Sequence, residues 1–415
     1  MNSIRLAFST IICILVLYDP ELKYLGFGSY IISALLMMSY LVCFGWLESY
    51  DFRIFRQDFT VYGALLIFLM GLVVVAAVNH GDWTISRGWL VYLGIVVPVF
   101  SILYWVAFVG DRPERLLTSV GLAAVLQSLF VIGELVSSNI YHWIGVFFER
   151  PSLAINSYRA SGISSMTGDG LSFIQFLGFF SALTLVFSSR SLRLRFFWFA
   201  SCMMIVSSMI FIGRTGVALC IVYLIFLMLI KSRVLSVVAV SFLAVLLLAV
   251  AHFVEQVPAS DFLFAIQHSI RPFVALMEGD LSLSPSLNDL VNNHLVFPAS
   301  FESWVLGVGQ WVTPEGYNFK GSDIGYVRLI WYSGLVGLGL FLLYLVPISY
   351  FTVKFSGKYK VFFLSFFISF LVANIKFPFL FWSQVIFFFL VIYLSMTRSG
   401  FKEVSIDRGC RDEYA

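Results

Sequence analysis

The sequence predicts an all-α polytopic membrane protein, and three observations support this fold class. The 415-residue chain is 60% hydrophobic, only 12% of its residues are charged, and its mean hydropathy is +0.93. A soluble domain carries about 25% charged residues, so this chain could not cover its own surface in water. Uncharged runs also recur along the sequence, many of them close to the roughly 20 residues that a helix needs to cross a bilayer. The small net charge of +3 indicates no nucleic-acid partner.

Twelve apolar runs are predicted to be transmembrane helices. They are residues 3–18, 26–47, 59–78, 88–109, 116–137, 171–188, 196–212, 216–230, 235–253, 325–346, 361–376 and 378–396. The first run continues into Tyr18-Asp19-Pro20 without a small-residue cleavage site, so we predict a retained span rather than a signal peptide. Residues 1–415 are therefore predicted to form a single transmembrane domain.

The distribution of basic residues predicts the orientation of the spans. Most of the 26 lysines and arginines fall on segments that share the side of the N-terminus, although the opposite segments are longer. Because basic residues are retained on the cytoplasmic side, both termini are predicted to be cytoplasmic. Two periplasmic loops follow, 138–170 and 254–324, and the second contains eight acidic and two basic residues. Apolar spacing over 287–295, and a second apolar stripe at Phe262, Ile266 and Ile270, predict short interfacial helices within it.

The stretch FIGRTGVAL places Arg214 in the middle of an otherwise uncharged run, from Phe196 to Ile230. A single helix over that run would be about 52 Å long, which is too long for one crossing. Both flanks of the run are basic, so both are predicted to be cytoplasmic. We therefore predict a hairpin with Gly213–Gly216 as its tight outer turn. Arg214 at this turn avoids the roughly 2.5–3.5 kcal/mol that a helix-centre arginine costs in a bilayer.

Cysteine, histidine and acidic residues give no sign of a metal or disulfide site. Cys13, Cys43, Cys202 and Cys220 lie in predicted spans, and Cys410 lies in the C-terminal tail, so the outer loops contain none. The five histidines are scattered without paired ligand spacing, and His294 lies beside an apolar stripe. Two acidic pairs, Asp19-x-Glu21 and Glu278-x-Asp280, are interpreted as solvated surface. We predict neither a metal nor a cofactor.

Three short stretches, taken in order, resemble the bacterial O-antigen polymerases (Wzy-type) and the related O-antigen ligases. They are RASGISSMTGDG at 159–170, GRTG at 213–216, and WVLGVGQW followed by GSDIGYVRLIWYSGLVG over 304–337. Arg159 and Gly170 match an Arg-x10-Gly pattern of such loops, and Arg271 falls where the family has another loop arginine. Ligases typically show a His-Asn pair near the start of the span after the large loop. This sequence has Ser322-Asp323 there, which favours the polymerase.

The resemblance implies a membrane glycosyltransferase of GT-C-like architecture in the bacterial inner membrane, with a periplasmic active site. It implies transfer of a glycan from undecaprenyl diphosphate to a sugar hydroxyl of the next lipid-linked repeat. The implied partners are the lipid-linked oligosaccharide, membrane lipid and a chain-length regulator protein. Two alternatives stay open: a ligase that transfers the glycan to the lipid A core, and a flippase for the same lipid-linked glycan. A transporter usually places charged residues within its spans, whereas these cluster at the predicted outer face.

Residue chemistry assigns roles to five residues in this reaction. Arginine matches phosphate oxygens with planar donors and stays charged, so Arg159, Arg214, Arg271 and Arg328 are candidate diphosphate ligands. The acceptor hydroxyl needs a base, and Asp323 at the end of the acidic loop is the candidate. The same position also suits a helix cap, with Ser322 or Asp323 favourable near the positive end of the helix dipole. The sequence leaves both interpretations of Asp323 open.

Overall fold

The computed structural model of the chain describes residues 3–23, 28–44, 56–149, 160–166, 168–230, 279, 288–313 and 318–412. Within these ranges the chain is helical, with short turns and two isolated bridges but no strand. The bridges pair Leu22 with Phe148 and Val312 with Asn318. Helices satisfy their own backbone hydrogen bonds, which is what a segment within the hydrocarbon of a bilayer requires.

The helices are numbered here along the chain, and α4 contains two π-helical turns, Tyr92–Val96 and Trp105–Val109. They are α1 (Ser3–Tyr18), α2 (Ser29–Phe44), α3 (Arg56–Val78), α4 (Trp83–Val109), α5 (Pro113–Val136), α6 (Ser138–Phe147), α7 (Gly168–Ser188), α8 (Leu192–Ile212), α9 (Arg214–Ile230), α10 (Phe301–Leu306), α11 (Gly325–Phe355), α12 (Gly357–Lys376) and α13 (Ser383–Asp412).

Seven of the described helices are long and apolar enough to cross a membrane, namely α3, α4, α5, α7, α8, α11 and α12. Shorter apolar helices occur at Ser3–Tyr18, Ser29–Cys43, Thr215–Ile230 and Ser383–Ser399. The prediction of an all-α polytopic membrane protein is therefore confirmed. The predicted span 235–253 lies outside the described residues, so the number of twelve spans stays a prediction.

The chain forms two compact units. The first comprises Met1–Glu48, Ala107–Leu283 and Leu364–Ser369, and the second comprises Ser49–Val106, Ser284–Phe363 and Phe370–Ala415. In the first unit, α7 is buried along nearly its whole length and packs against α5, α8 and α9. Buried hydroxyl and amide groups join helices of this unit: Tyr18 of α1 donates to Gln175 of α7 at 3.2 Å, and the hydroxyls of Ser128 and Ser208 are 3.0 Å apart. Such bonds join helices where no water competes for them.

The second unit is built on α11, which packs against α3 and α13. A buried ion pair joins the first turn of α3 to α13. Arg398 donates to both carboxylate oxygens of Asp58, at 2.9 and 2.7 Å, and the Tyr393 hydroxyl donates to the same carboxylate at 2.8 Å. Because the arginine fork matches the carboxylate and the tyrosine adds a third donor, the buried charges are compensated.

Several helix bounds differ from the sequence prediction. Helix α4 begins at Trp83 rather than at residue 88, and α11 continues to Phe355 rather than ending at 346. Helix α13 begins at Ser383 rather than 378, because a separate 3-10 turn, Phe379–Phe381, precedes it. The loop predicted over 138–170 contains helix α6 in its first part. Hydropathy detects the apolar stretch, whereas these ends depend on local turns.

Candidate functional site

Helix α11 is broken at Gly334, which adopts φ 62° and ψ −161°. This left-handed backbone strongly favours glycine over any other residue. The break frees two carbonyl groups from the helical ladder, and a segment of the large loop uses them. The backbone N–H of Val308 donates to the carbonyl of Trp331 at 2.8 Å, and that of Gly309 donates to the carbonyl of Tyr332 at 2.9 Å. The loop therefore runs along the broken part of the helix.

Glycines make this backbone contact possible. A Cβ atom on Gly334 would collide with the carbonyl of Val305, and one on Gly307 would collide with the backbone at Tyr332 and Ser333. Gly307 also has a positive φ of 72°. The motif LGVG in the loop and the motif YSG in the span are thus two sides of one close backbone approach.

Asp82, in the turn between α3 and α4, holds the next part of the loop. Its backbone N–H donates to the carbonyl of Gly309 at 2.6 Å. Its carboxylate Oδ2 accepts from the backbone N–H groups of Trp311 and Val312, at 2.6 and 3.1 Å. A carboxylate that accepts backbone N–H groups makes charge-assisted bonds, so Asp82 fixes the position of Trp311. Sequence reasoning missed Asp82, and the Gly-Asp turn at 81–82 was the available signal.

Trp311 lies in a group of aromatic side chains that we call the Trp311 cluster: Trp89, Trp311, Tyr332 and Phe381. The ring centroid of Trp311 is 4.9 Å from Trp89, 5.6 Å from Tyr332 and 4.8 Å from Phe381, in edge-on arrangements. Edge-to-face contacts of this kind are favourable for aromatic rings. The rings of the Trp311 cluster thus pack against one another, and Tyr332 contributes to the cluster from α11.

The Arg328 side chain lies against the Trp311 cluster. The guanidinium carbon is 4.0 Å from the ring centroid of Trp311, and the residue is only 7% exposed. The sequence predicts Arg328 as a candidate diphosphate ligand. The structure places it inside the second unit, stacked on an aromatic face as a cation–π pair.

The charge of Arg328 is not neutralised by the described residues. None of them accepts a hydrogen bond from its guanidinium, and its Nε atom is buried without a partner. Asp323, which precedes α11, acts on it through space without forming an ion pair among the described contacts. Burying a cation without a bonded anion costs a desolvation free energy of roughly several kcal/mol. The site therefore suits an anion with oxygen atoms that accept from the planar guanidinium.

Asp323 lies at the start of α11, but it does not cap the helix. The N-cap residue is Ile324, and no side chain caps that end. The Ser322 hydroxyl accepts instead from the backbone N–H of Ile324 at 3.2 Å. Asp323 Oδ1 accepts from the side-chain amide of Asn318 at 2.7 Å. The capping interpretation of Ser322 and Asp323 is thus not the arrangement found, since the Asp323 carboxylate is held by the loop rather than by the helix.

In the first unit, Arg214 is the first residue of α9, and only Gly213 separates it from α8. The predicted four-residue turn is therefore too long. The start of α7 holds this junction in place. The Thr215 hydroxyl donates to Asp169, and the backbone N–H of Gly216 donates to the Ser172 hydroxyl at 2.7 Å. The junction between α8 and α9 is therefore held by side chains of α7 rather than by a four-residue turn of its own.

The segment before α7 is held against the same junction. The backbone N–H of Ala160 donates to the carbonyl of Phe211 at 3.0 Å. Glu134 Oε1 accepts from the N–H groups of Ser161 and Gly162, at 2.7 and 3.1 Å. Glu134 thus fixes the backbone of Ser161 and Gly162. Arg159 and Arg271 lie outside the described residues.

Metal ligands do not converge in the described part of the chain, where no group of three His, Cys, Asp or Glu side chains could hold a metal ion.

Composition and fold define the class of the protein, an all-α polytopic membrane protein. No protein-family model and no curated protein matches the chain. Function is therefore inferred from the geometry of Asp323, Arg328 and the residues that hold them.

Proposed function

We propose that the chain is a membrane glycosyltransferase that polymerises oligosaccharide repeat units carried on undecaprenyl diphosphate. One observation carries the proposal: the guanidinium of Arg328 is buried and stacked on Trp311, and no described residue provides an anionic partner for it. A diphosphate supplies such a partner, because its oxygens accept from both edges of the planar group. Asp323 lies five residues earlier in the sequence, just before α11, and supplies a carboxylate for proton transfer.

The reaction proposed is a glycosyl transfer. The acceptor sugar hydroxyl attacks the anomeric carbon of the donor glycan, and a new C–O bond forms there. The bond between that carbon and the diphosphate oxygen breaks, and its electron pair leaves with undecaprenyl diphosphate. The hydroxyl proton passes to the Asp323 carboxylate. Arg328 stabilises the negative charge that develops on the leaving oxygen, in surroundings where water screens it little.

Arg159, Arg214 and Arg271 are proposed as further ligands of lipid-linked diphosphate. Arg214 has structural support of its own, because it begins helix α9. A basic side chain at the positive end of a helix dipole is unfavourable without an anion, and the same N-terminus attracts phosphate groups. We propose that the chemistry occurs at the periplasmic face of the bacterial inner membrane, with both termini cytoplasmic. Membrane lipid and a chain-length regulator are the proposed further partners.

A second candidate function is the O-antigen ligase, which transfers the glycan to the lipid A core. One observation favours it. At the start of α11, the imidazole of His294 accepts from the backbone N–H of Asp323, and its backbone carbonyl accepts from the Ser322 hydroxyl. Ligases of the family that the sequence resembles place histidine near the start of the corresponding span. Here the histidine comes from the loop and not from the span itself.

Deletion of the gene from its bacterial host separates the two candidates. For the polymerase, we expect lipopolysaccharide that carries a single repeat, with long chains restored by the wild-type gene and not by Asp323→Asn. For the ligase, no repeat reaches the core, and lipid-linked polymer accumulates. Normal lipopolysaccharide ladders in a deletion strain without a duplicate gene contradict both. Membrane levels of the variant must match the wild type on immunoblots.

A further inference from the structure

His294 connects the loop to the proposed catalytic carboxylate. It ends a short π-helical turn, Leu290–His294, and its side chain is 16% exposed. Its Nδ1 atom lies 3.1 Å from the backbone nitrogen of Asp323, and its Nε2 atom lies 3.0 Å from Oδ2 of Asp289. Its own backbone carbonyl accepts from the Ser322 hydroxyl at 2.7 Å. Both residues that precede Ile324 are thus bound to His294.

The identity of the neighbours fixes the protonation of the ring. A backbone N–H only donates, so Nδ1 of His294 has to accept with its lone pair. The ring proton then lies on Nε2, where it donates to the carboxylate of Asp289. This is the neutral imidazole in a single tautomer. A protonated ring would carry N–H at both positions, and the Nδ1–H would face the N–H of Asp323.

We infer that His294 is a positioning residue for Asp323: its neutral Nδ1 holds the backbone at the start of α11, and protonation of the ring releases it. The inference rests on the proposed function, because it assigns Asp323 as the base. Asn318 donates to Oδ1 of Asp323, and no described residue donates to Oδ2. With the backbone held by His294 and Oδ1 held by Asn318, Oδ2 is the atom that takes the proton from the acceptor hydroxyl.

The charged groups around His294 come from three helical elements and the loop. Asp289 comes directly before the π-helical turn that ends at His294, and Asp323 directly precedes the N-cap of α11. Lys376, at the end of α12, acts on Asp289 through space. Arg328 acts on Asp323 in the same way. Protonation at Nδ1 would turn this acceptor into a donor that faces the N–H of Asp323, so the contact requires the neutral ring. Imidazole side chains in general change charge between about pH 5 and 8, and this sets the pH range of the test.

Two substitutions distinguish the contact made by Nδ1 of His294 from the contact made by its Nε2. His294→Asn retains an acceptor oxygen close to the position of Nδ1 and does not titrate. His294→Gln places its amide toward Asp289 and loses the acceptor for the Asp323 N–H. The full-length protein, purified in detergent or nanodiscs, is assayed with undecaprenyl-diphosphate-linked repeat from pH 5 to 8. Melting temperatures of both variants establish that they are folded under the assay conditions.

For the wild type we expect turnover to fall on the acid side of this range. His294→Asn should keep most of its turnover at pH 8 and lose the acid decline. His294→Gln should turn over about tenfold more slowly than the wild type at pH 8, as expected for one hydrogen bond that positions a reacting group, and this difference should shrink toward pH 5. An acid decline that persists in His294→Asn overturns the inference, and so do equal losses in the two variants.

A second measurement does not depend on activity. In protein with ¹⁵N-labelled histidine, the His294 signals, assigned by their absence in His294→Asn, report which ring nitrogen carries the proton. We expect Nε2–H with unprotonated Nδ1 at pH 8. An Nδ1–H tautomer overturns the inference even if polymer forms. If the wild type forms no polymer while the Nε2–H tautomer is present, the proposed function fails and the contact itself stands.

Discussion

Arg328 lies over the indole ring of Trp311 at 4.0 Å, buried and without a bonded carboxylate among the described residues. Arg398, in the same unit, is also largely buried but is bound by both oxygens of Asp58. The two arginines therefore form a natural comparison. The charge of Arg398 is compensated by the fold, whereas no described residue bonds the charge of Arg328.

The comparison gives a prediction for stability. Arg328→Met should remove polymerisation and leave the melting temperature of the ligand-free protein unchanged or higher, because it removes a buried unpaired cation. Arg398→Met should lower stability by about 3–5 kcal/mol, because it leaves Asp58 buried without its partner. Thermal unfolding of the purified variants in detergent measures both. If the melting temperature of Arg328→Met is as low as that of Arg398→Met, Arg328 has a structural partner and is not a binding site for an anion.

Asp323→Asn separates proton transfer from structure. Asparagine keeps an oxygen that accepts from Asn318, but it cannot accept a proton at neutral pH, so turnover should be lost at unchanged expression and melting temperature. Asp323→Ala also loses the Asn318 bond, worth about 0.5–1.5 kcal/mol. Because Asp323 does not cap α11, no larger loss is expected. Substantial turnover by purified Asp323→Asn with lipid-linked repeat eliminates Asp323 as the base.

Arg214→Lys tests the proposed phosphate ligand in the first unit. Lysine keeps the charge and loses the planar fork, so long-chain polymer should fall severely at a normal membrane level. Arg87→Lys is the matched control, since Arg87 is exposed and lies 5.8 Å from the ring of Trp83, and it should have little effect. Near-full ladders from Arg214→Lys reduce the role to a local positive charge. A cysteine at position 214 that is labelled only from the cytoplasm contradicts the predicted orientation.

The loop carboxylate Asp289 gives a prediction for pH. Hydrogen bonds from Asn293, and secondly from His294, hold the pKa of Asp289 below its usual value. A depressed pKa contributes stability that is present above the unfolded value of about 3.9 and is lost as the pH falls through the folded value. Asn293→Ala removes the larger cause. Its melting temperature should therefore lie below the wild type at pH 6 and approach it near pH 3, and a constant difference contradicts this assignment.

Much of the membrane architecture follows from the sequence, because hydropathy reports an average over many residues. The start of α11 at Gly325 and the division between α8 and α9 near Gly213 were both predicted. The exact junction at Gly213 was not, since it depends on Asp169 and Ser172 of another helix. Periodicity within one segment carries no information about such partners.

The candidate site was predicted less completely, for the same reason. Arg328 and Asp323 were identified from their chemistry and position, but their surroundings come from distant parts of the chain. Asp82 binds the backbone of Trp311, which lies 229 residues later in sequence, and His294 binds that of Asp323. Contacts over such separations are decided by tertiary packing. A single Gly-Asp turn or a lone loop histidine does not reveal them.

The most direct test of the central claim uses the purified full-length protein in nanodiscs, supplied only with the undecaprenyl-diphosphate-linked repeat of its host. The products are separated on gels, and released undecaprenyl diphosphate is quantified by mass spectrometry. We predict a ladder of lipid-linked oligomers, one undecaprenyl diphosphate released for each bond formed, and neither product from Asp323→Asn or Arg328→Met. Recovery of the repeat as unchanged monomer, under conditions where the wild-type protein is folded, would contradict the assignment as a polymerase.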